Sequence, residues 1–206
     1  KGRIDRARGI DDLVLPARDI QAQVARLERQ GVEVEVIAEI TSDLNRRLLA
    51  KVIEFVAPES IRKSGCLMVM GSEGRREQTV RTDQDNGLLL AERVPDEDLA
   101  RFRGEFTEAL ERFGFPPCPG NVMVRNPQWS QPVDTFVHQI RDWVLTPNEE
   151  SAMNLGIFFD AETVAGRADL LTEAKSAMCT LMRGESAFLA RFARAIDLFE
   201  DASAGM

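Results

Sequence analysis

The stretch of sequence that decides the fold is residues 66–90, CLMVMGSEGRREQTVRTDQDNGLLL. It begins with an apolar run that stops at Gly71, which is the pattern of a buried strand that feeds a tight turn. Glycines allow the backbone of such a turn to approach a ligand closely, and its N–H groups can bind phosphate oxygens. A serine hydroxyl and two arginines add hydrogen bonding and positive charge. The predicted nucleotide-binding residues of the turn are Gly71, Ser72, Gly74, Arg75 and Arg76.

Two carboxylates, Asp83 and Asp85, follow the turn. If residues 82–90 are extended, side chains two positions apart project from the same face, so both carboxylates lie close together. Two like charges at that distance repel, and a divalent cation removes the repulsion. Hard oxygen ligands suit Mg²⁺, which completes its coordination shell with phosphate oxygens and waters. The spacing therefore indicates a Mg²⁺ or Mn²⁺ ion that binds together with a nucleoside triphosphate.

Segment 71–90 resembles the signature of the polymerase-beta-like nucleotidyltransferase superfamily, a Gly-Ser or Gly-Gly turn followed by a two-carboxylate strand. More narrowly, it is similar to the nucleotidyltransferase domains that follow CBS-domain pairs in bacterial signalling proteins, and to the catalytic segment of PII uridylyltransferase. Residues 118–129, CPGNVMVRNPQW, resemble the same narrower family. Gln84 and Asn86 stand where the broad superfamily has apolar residues, a variant that the narrower family carries. The resemblance covers roughly residues 60–165 and implies an α+β fold, with a small mixed sheet backed by helices and flanked by N- and C-terminal helices.

Members of the superfamily add a third carboxylate from a later strand. Residues 155–160, LGIFFD, form an apolar run that ends in an acid, so we expect a strand that presents Asp160. By resemblance, Asp83 and Asp85 hold the metal that accompanies the phosphates, and with Asp160 they hold a second metal that activates an acceptor hydroxyl. Asp160 can also accept the hydroxyl proton. The reaction implied is in-line transfer of a nucleoside monophosphate from an NTP to a hydroxyl on a protein, small molecule or nucleotide, with pyrophosphate leaving.

Other polar and aromatic residues have plainer interpretations. Residues 83–86 alone would pass for a hairpin turn, and many glycine turns at strand ends bind nothing. Arg125 and Asn126 either line the nucleotide pocket or form an ordinary turn. His138 adjoins the apolar stripe of a predicted helix, and we leave it outside the site. Trp129 either packs in the core, which its large aromatic area favours, or lines a pocket beside the segment 118–129.

Composition narrows the classes of function. The 206 residues are 44% hydrophobic, which is enough for a sizeable core, and the net charge of −8 argues against broad binding to nucleic acids or anionic membranes. Three separated cysteines indicate neither a disulfide framework nor a zinc site, and no segment is typical of a membrane helix or signal peptide. We expect a cytoplasmic protein. Because the chain begins at Lys1, we expect a piece of a longer protein. The resemblance implies upstream CBS domains there, either alone or together with cyclic-nucleotide-binding domains.

The expected organisation is a linker over 1–19, a nucleotidyltransferase domain with N-terminal helices over 20–165, and a C-terminal helical segment over 166–206. Apolar spacing predicts helices within 20–29, 34–56, 99–113, 169–182 and 185–200. Two functions stay open: a nucleotidyltransferase, or a regulatory module that senses a nucleotide beside CBS domains and transfers nothing. A purely helical interaction scaffold would leave the glycine turn and the paired acids without a purpose.

Overall fold

The structure is a computed structural model that describes residues 2–77, 85–146 and 148–184. Within them, four strands form one sheet: β1 (Gly65–Val69), β2 (Asn86–Leu90), β3 (Ser130–Pro132) and β4 (Glu162–Gly166). The strand order is β3-β2-β1-β4. β1 is antiparallel to both β2 and β4, and β2 is parallel to β3. The mixed sheet with surrounding helices confirms the α+β class predicted from the sequence.

The helices of the described residues lie on both faces of this sheet. They are α1 (Gly2–Asp5), α2 (Ile10–Arg29), α3 (Val34–Val56), α4 (Glu59–Ser64), α5 (Gly71–Gly74), α6 (Asp96–Arg112), α7 (Val133–Leu145), α8 (Glu149–Phe159) and α9 (Ala168–Gly184). The predicted helices over 34–56, 99–113 and 169–182 are thereby confirmed, whereas 185–200 lies outside the described residues. None of these helices is both long and apolar enough to cross a membrane.

The central strands are buried on both faces because alternate side chains enter two different hydrophobic clusters. Leu67 and Val69 of β1 join the cluster formed with α2, α3 and α6. Cys66 and Met68 point the other way, into the cluster formed with α7, α8 and α9. Side chains of a strand alternate between the two faces of its sheet, and a strand covered on both faces reads as an unbroken apolar run. This explains why the run before Gly71 is a reliable strand signal.

The predicted linker over 1–19 is wrong, because most of it is helical. Pro16 lies inside α2, and Leu13 and Ala17 on either side of it are fully buried. A proline within a helix costs about 3 kcal/mol, whereas each fully buried large apolar side chain contributes roughly 1.5–3 kcal/mol. The buried stripe continues through Ile20 and Val24. The combined burial of this stripe therefore outweighs the cost of the proline.

The predicted strand over 155–160 is also wrong, because these residues complete α8. Asn148 and Ser151 form a reciprocal capping box at the start of that helix, with hydrogen bonds of 2.7 Å in each direction between backbone N–H groups and side-chain oxygens. Leu155 and Phe158, three residues apart, are fully buried. Such a short apolar run fits a strand or a buried helix equally well. The capping box upstream favours the helix here.

Candidate functional site

Three segments of the chain meet at the edge of the sheet where β1 ends. Because β1 is antiparallel to both neighbours, β2 and β4 each begin at this edge, and Val69 pairs with both Asn86 and Glu162. Asp85 directly precedes β2, and Asp160 stands two residues before β4. The short helix α5 follows β1 at the same edge. The topology thus places Asp85 and Asp160 next to the glycine turn, although Asp160 precedes a strand instead of ending one.

One end of α5 is in close contact with Asp85. Gly71 has a φ of +55°, and a Cβ added to it would lie 2.7 Å from Oδ2 of Asp85. The backbone N–H of Met70 donates to the carbonyl of Asp85 at 2.9 Å. Glycine adopts this left-handed conformation without steric cost. The absence of a side chain at Gly71 therefore leaves room for the Asp85 carboxylate.

The other end of α5 is in close contact with Asp160. A Cβ added to Gly74 would lie 2.2 Å from the backbone oxygen of Asp160. Arg75 donates from Nη1 to Oδ2 of Asp160 at 2.5 Å and from Nε to Glu77 at 2.7 Å. Arg76 follows with a φ of 60° and an exposed side chain. Each end of the turn is thus in contact with one acidic residue, and Arg75 pairs with Asp160.

Glu73, in the middle of the turn, is buried and points away from solvent. It is 8% exposed, and its carboxylate accepts hydrogen bonds from Oγ of Ser42 at 3.4 Å and Nδ2 of Asn45 at 3.3 Å. Burial raises the pKa of Glu73. The hydrogen bond from Asn45 and the nearby Arg46 guanidinium lower this pKa, but they offset the effect of burial only in part. No local sequence pattern contains this cluster. The available signal was that Ser42 and Asn45 are polar residues on the apolar face of the predicted helix 34–56.

The loop before β3 lines the Asp85 side of the edge. Asn86 is 3% exposed, and it donates its backbone N–H to Val122 O at 3.1 Å and accepts at Oδ1 from the Val124 N–H at 2.9 Å. These bonds explain how a polar residue is tolerated where the superfamily pattern has an apolar one. Cys118 lies against Asp85, and burial followed by the effect of that carboxylate raises the pKa of the thiol to about 11.

The remaining candidates take positions that follow from local structure. Asn126 caps the short helix Pro127–Trp129, accepting from the Gln128 N–H at 3.1 Å and donating from Nδ2 to Asn121 O at 3.0 Å. Its amide is thus used within the loop, while the neighbouring Arg125 is exposed. His138 is exposed on α7, which agrees with leaving it outside the site.

Asp83 lies outside the described residues, so the structure places two of the three predicted acids. Within residues 2–77, 85–146 and 148–184, no three His, Cys, Asp or Glu side chains are arranged to hold a metal ion. Asp85 and Asp160 do supply carboxylate oxygens on either side of one turn. Mg²⁺ is commonly bound through one or two protein carboxylates, with phosphate oxygens and waters completing the octahedron. The donor chemistry of the described residues therefore fits this ion.

A strand, a glycine turn and carboxylates just before the neighbouring strands define a nucleotidyltransferase domain of the polymerase-beta-like fold. More particularly, the chain belongs to the family described as Putative nucleotidyltransferase DUF294, whose model matches residues 18–150, more than half of the chain. A search of curated proteins finds no match. The matched range contains the turn and Asp85 and ends before Asp160.

Proposed function

We propose that this domain transfers a nucleoside monophosphate from an NTP to a hydroxyl acceptor with the help of Mg²⁺ or Mn²⁺. The observation that carries the proposal is the position of α5, which contacts Asp85 at Gly71 and Asp160 at Gly74. Asp83, two residues before Asp85, belongs to the proposed acid set by its place in the sequence. A bound divalent cation would offset the charge of these acids and of the triphosphate.

The triphosphate is proposed to bind at the turn. The backbone N–H groups of a glycine-containing turn can bind phosphate oxygens. In α5 these groups include those of Gly71 and Ser72, and the Ser72 hydroxyl lies beside them in the sequence. The exposed guanidinium of Arg76 adds positive charge. Arg125 is a further candidate to bind the triphosphate, because it lies in the segment 118–129 that resembles the family. Asn126 would contribute indirectly, by ordering the loop that carries Arg125.

The proposed step is an in-line displacement at phosphorus. The acceptor hydroxyl oxygen bonds to the α-phosphorus, the bond from that phosphorus to the α,β-bridging oxygen breaks, and pyrophosphate leaves with the electron pair. The hydroxyl proton passes to the carboxylate of Asp160. Arg75 positions that carboxylate through its 2.5 Å hydrogen bond. The contribution of the chain is mainly orientation and charge.

Labelling with α-labelled NTPs tests this function. The protein is incubated with each NTP, Mg²⁺ or Mn²⁺ and a cell extract that supplies acceptors. We expect Asp85→Asn to reduce labelled product by about 100-fold or more, and Asp160→Asn to abolish transfer while nucleotide binding is partly kept. Asp142→Asn is the matched control, because it makes the same change at an exposed position on α7. Labelling by Asp160→Asn at the wild-type level would remove Asp160 from the site.

The same experiment separates the enzyme from a nucleotide sensor. Tight, metal-dependent nucleotide binding without any labelled acceptor would favour the sensor. From the resemblance alone, we also propose that the domain acts in cytoplasmic signalling next to upstream CBS and cyclic-nucleotide-binding domains. The sequence of the intact protein tests this association, and an upstream region without a CBS pair would contradict it.

A further inference from the structure

Helix α3 presents three polar residues to the back of the turn. Ser42, Asn45 and Arg46 are spaced i, i+3 and i+4, so they share one face of the helix. Ser42 and Asn45 are 1% and 2% exposed. Buried polar side chains are costly unless they are hydrogen-bonded. Their partners therefore show what this face of α3 does.

The first partner of this face is the turn itself. Ser42 and Asn45 both donate to the carboxylate of Glu73, at 3.4 and 3.3 Å. The guanidinium of Arg46 lies next to the same residue and donates from Nη2 to its backbone oxygen at 3.5 Å. The side chain and the backbone of Glu73 are thus both held from α3.

The second partner is β4, the strand that follows Asp160. Nη1 of Arg46 donates to the backbone oxygen of Thr163 at 3.5 Å. Thr163 lies at an irregularity, because Met68 pairs with Thr163 whereas Leu67 pairs with Ala165, which leaves one extra residue in β4. A bulge disrupts the ladder and leaves backbone groups that need other partners. Arg46 supplies one and so connects the turn to the bulged part of β4.

We propose that Arg46, with Ser42 and Asn45, is a positioning residue of the site that fixes α5 against β4 and thereby sets Asp160 relative to Asp85. This inference rests on the proposed function and extends it to a helix that packs behind the turn. One guanidinium reaches both structures, because its two terminal nitrogens donate in different directions from a rigid plane. A lysine has a single terminal nitrogen and no such plane.

The test compares Arg46→Met and Arg46→Lys with Arg47→Met. Arg47 is the next residue of α3, but its side chain is exposed and pairs with Asp43 at 3.3 Å, so it controls for the loss of an arginine. Amide hydrogen exchange of Gly74, Arg75 and Glu77 reports on opening of the turn, since these N–H groups donate to backbone oxygens within 70–72. Binding of ATP, GTP, CTP and UTP with Mn²⁺ is measured on the same samples.

We expect Arg46→Met to accelerate exchange in the turn by about tenfold and to weaken the best Mn²⁺–nucleotide affinity by about tenfold, with Arg46→Lys between it and the wild type. Arg47→Met should stay within about twofold of the wild type in both measurements. If Arg46→Met does not fold, the same two measurements on Arg46→Lys and Arg47→Lys decide whether Arg46 positions the turn.

Two results would overturn the inference. Exchange in the turn that is equal in the Arg46 and Arg47 variants would show that Arg46 does not hold α5. Faster exchange with unchanged nucleotide affinity would show that the link is structural and does not position the site. A wild-type protein that binds none of the nucleotides would instead refute the proposed function, and that outcome is recognised before any variant is compared.

Discussion

The two ends of α5 meet their acids in different ways. At Gly71, the atom nearest to an added Cβ is a carboxylate oxygen of Asp85, 2.7 Å away. At Gly74, the nearest atom is the backbone oxygen of Asp160, 2.2 Å away. A side-chain oxygen moves by rotation about one or two bonds, whereas a backbone oxygen moves only with its chain. The Gly74 end is therefore the more rigid of the two.

This difference indicates a division of roles within the turn. The Gly74 end packs against the segment between α8 and β4 and thereby holds the backbone of Asp160 in place. The Gly71 end instead leaves room for the Asp85 carboxylate itself. A cation that binds between protein carboxylates and phosphates needs ligands at defined distances. The contacts at the two ends of α5 help to set those distances, at Asp160 through its backbone oxygen and at Asp85 through its carboxylate.

The largest effect is expected for Gly74→Ala. The added methyl group cannot be accommodated 2.2 Å from the Asp160 carbonyl, so either α5 or the start of β4 must move. We expect the free energy of unfolding to fall by about 3 kcal/mol, the upper part of the range for overpacking, and labelling to be lost. Urea unfolding and the labelling assay measure the two effects.

Gly104→Ala is the matched control for this variant. Gly104 lies within α6, and an added Cβ there meets nothing within 4 Å among the described residues. Replacing such a helical glycine should raise the free energy of unfolding by about 0.5–1 kcal/mol. If Gly74→Ala is as stable as the wild type, the turn is not held against the Asp160 backbone.

A smaller loss is expected for Gly71→Ala. The main cost is the φ of +55°, a conformation that costs an L-residue about 1–2 kcal/mol, because the Asp85 carboxylate can rotate away. We expect a corresponding fall in the free energy of unfolding, with weaker Mn²⁺ binding because Asp85 is displaced. Urea unfolding and Mn²⁺ titration measure these effects. A loss that equals or exceeds that of Gly74→Ala would contradict the proposed difference between the two ends.

The sequence is sufficient to predict the Gly71 end of this turn but insufficient to predict the contact at its Gly74 end. An apolar run that stops at Gly71, followed by Asp85 and a second apolar run, leaves little choice but two strands around a turn. The contact between Gly74 and Asp160 joins residues 86 positions apart, and no local pattern contains it. Asp160 stays a predicted acid of the site, but the strand predicted to present it is wrong, because the apolar run before it suits a helix as well as a strand.

The network behind the turn was not predictable for the same reason. Ser42 and Asn45 lie on a helix that the sequence predicts well, but their partner Glu73 is 31 and 28 residues away. Periodicity shows which face of a helix is buried and not what that face meets. The presence of two uncharged polar residues on a buried face signals only that some partner must exist.

A still smaller change in stability is expected for Arg75→Gln, which tests the Gly74 end without crowding it. The Arg75–Asp160 pair is partly exposed, with side chains 45% and 20% accessible, so its loss should cost less than about 1 kcal/mol. Arg167→Gln breaks a comparable surface pair with Asp169 and serves as the control. Urea unfolding should show similar small losses in both, whereas only Arg75→Gln should reduce labelling. Equal labelling in the two variants would show that Arg75 does not position Asp160.

The smallest effect is a pH dependence that comes from Glu73, midway between the two ends. Burial raises the pKa of this carboxyl above its ordinary value of 4.5, so the folded protein favours its neutral form. The favourable contribution is complete below pH 4.5 and is lost as the pH rises through the raised pKa of the folded state. Glu73→Gln cannot lose a proton and keeps groups that can bond to Ser42 and Asn45. Its stability relative to the wild type should therefore increase as the pH rises above 4.5.

Urea unfolding of both proteins at a series of pH values measures this difference. Glu108→Gln, the same substitution on the exposed face of α6, controls for the removal of one acidic group. Arg46 bears on the result, because it faces Glu73, Arg76 and Glu162 together and its charge favours the ionised carboxylate. If the Arg46 guanidinium outweighed burial, the relative stability of Glu73→Gln would instead fall with rising pH. The turn would then be held by an ion pair with α3, and its centre would be a second fixed point beside the rigid Gly74 end.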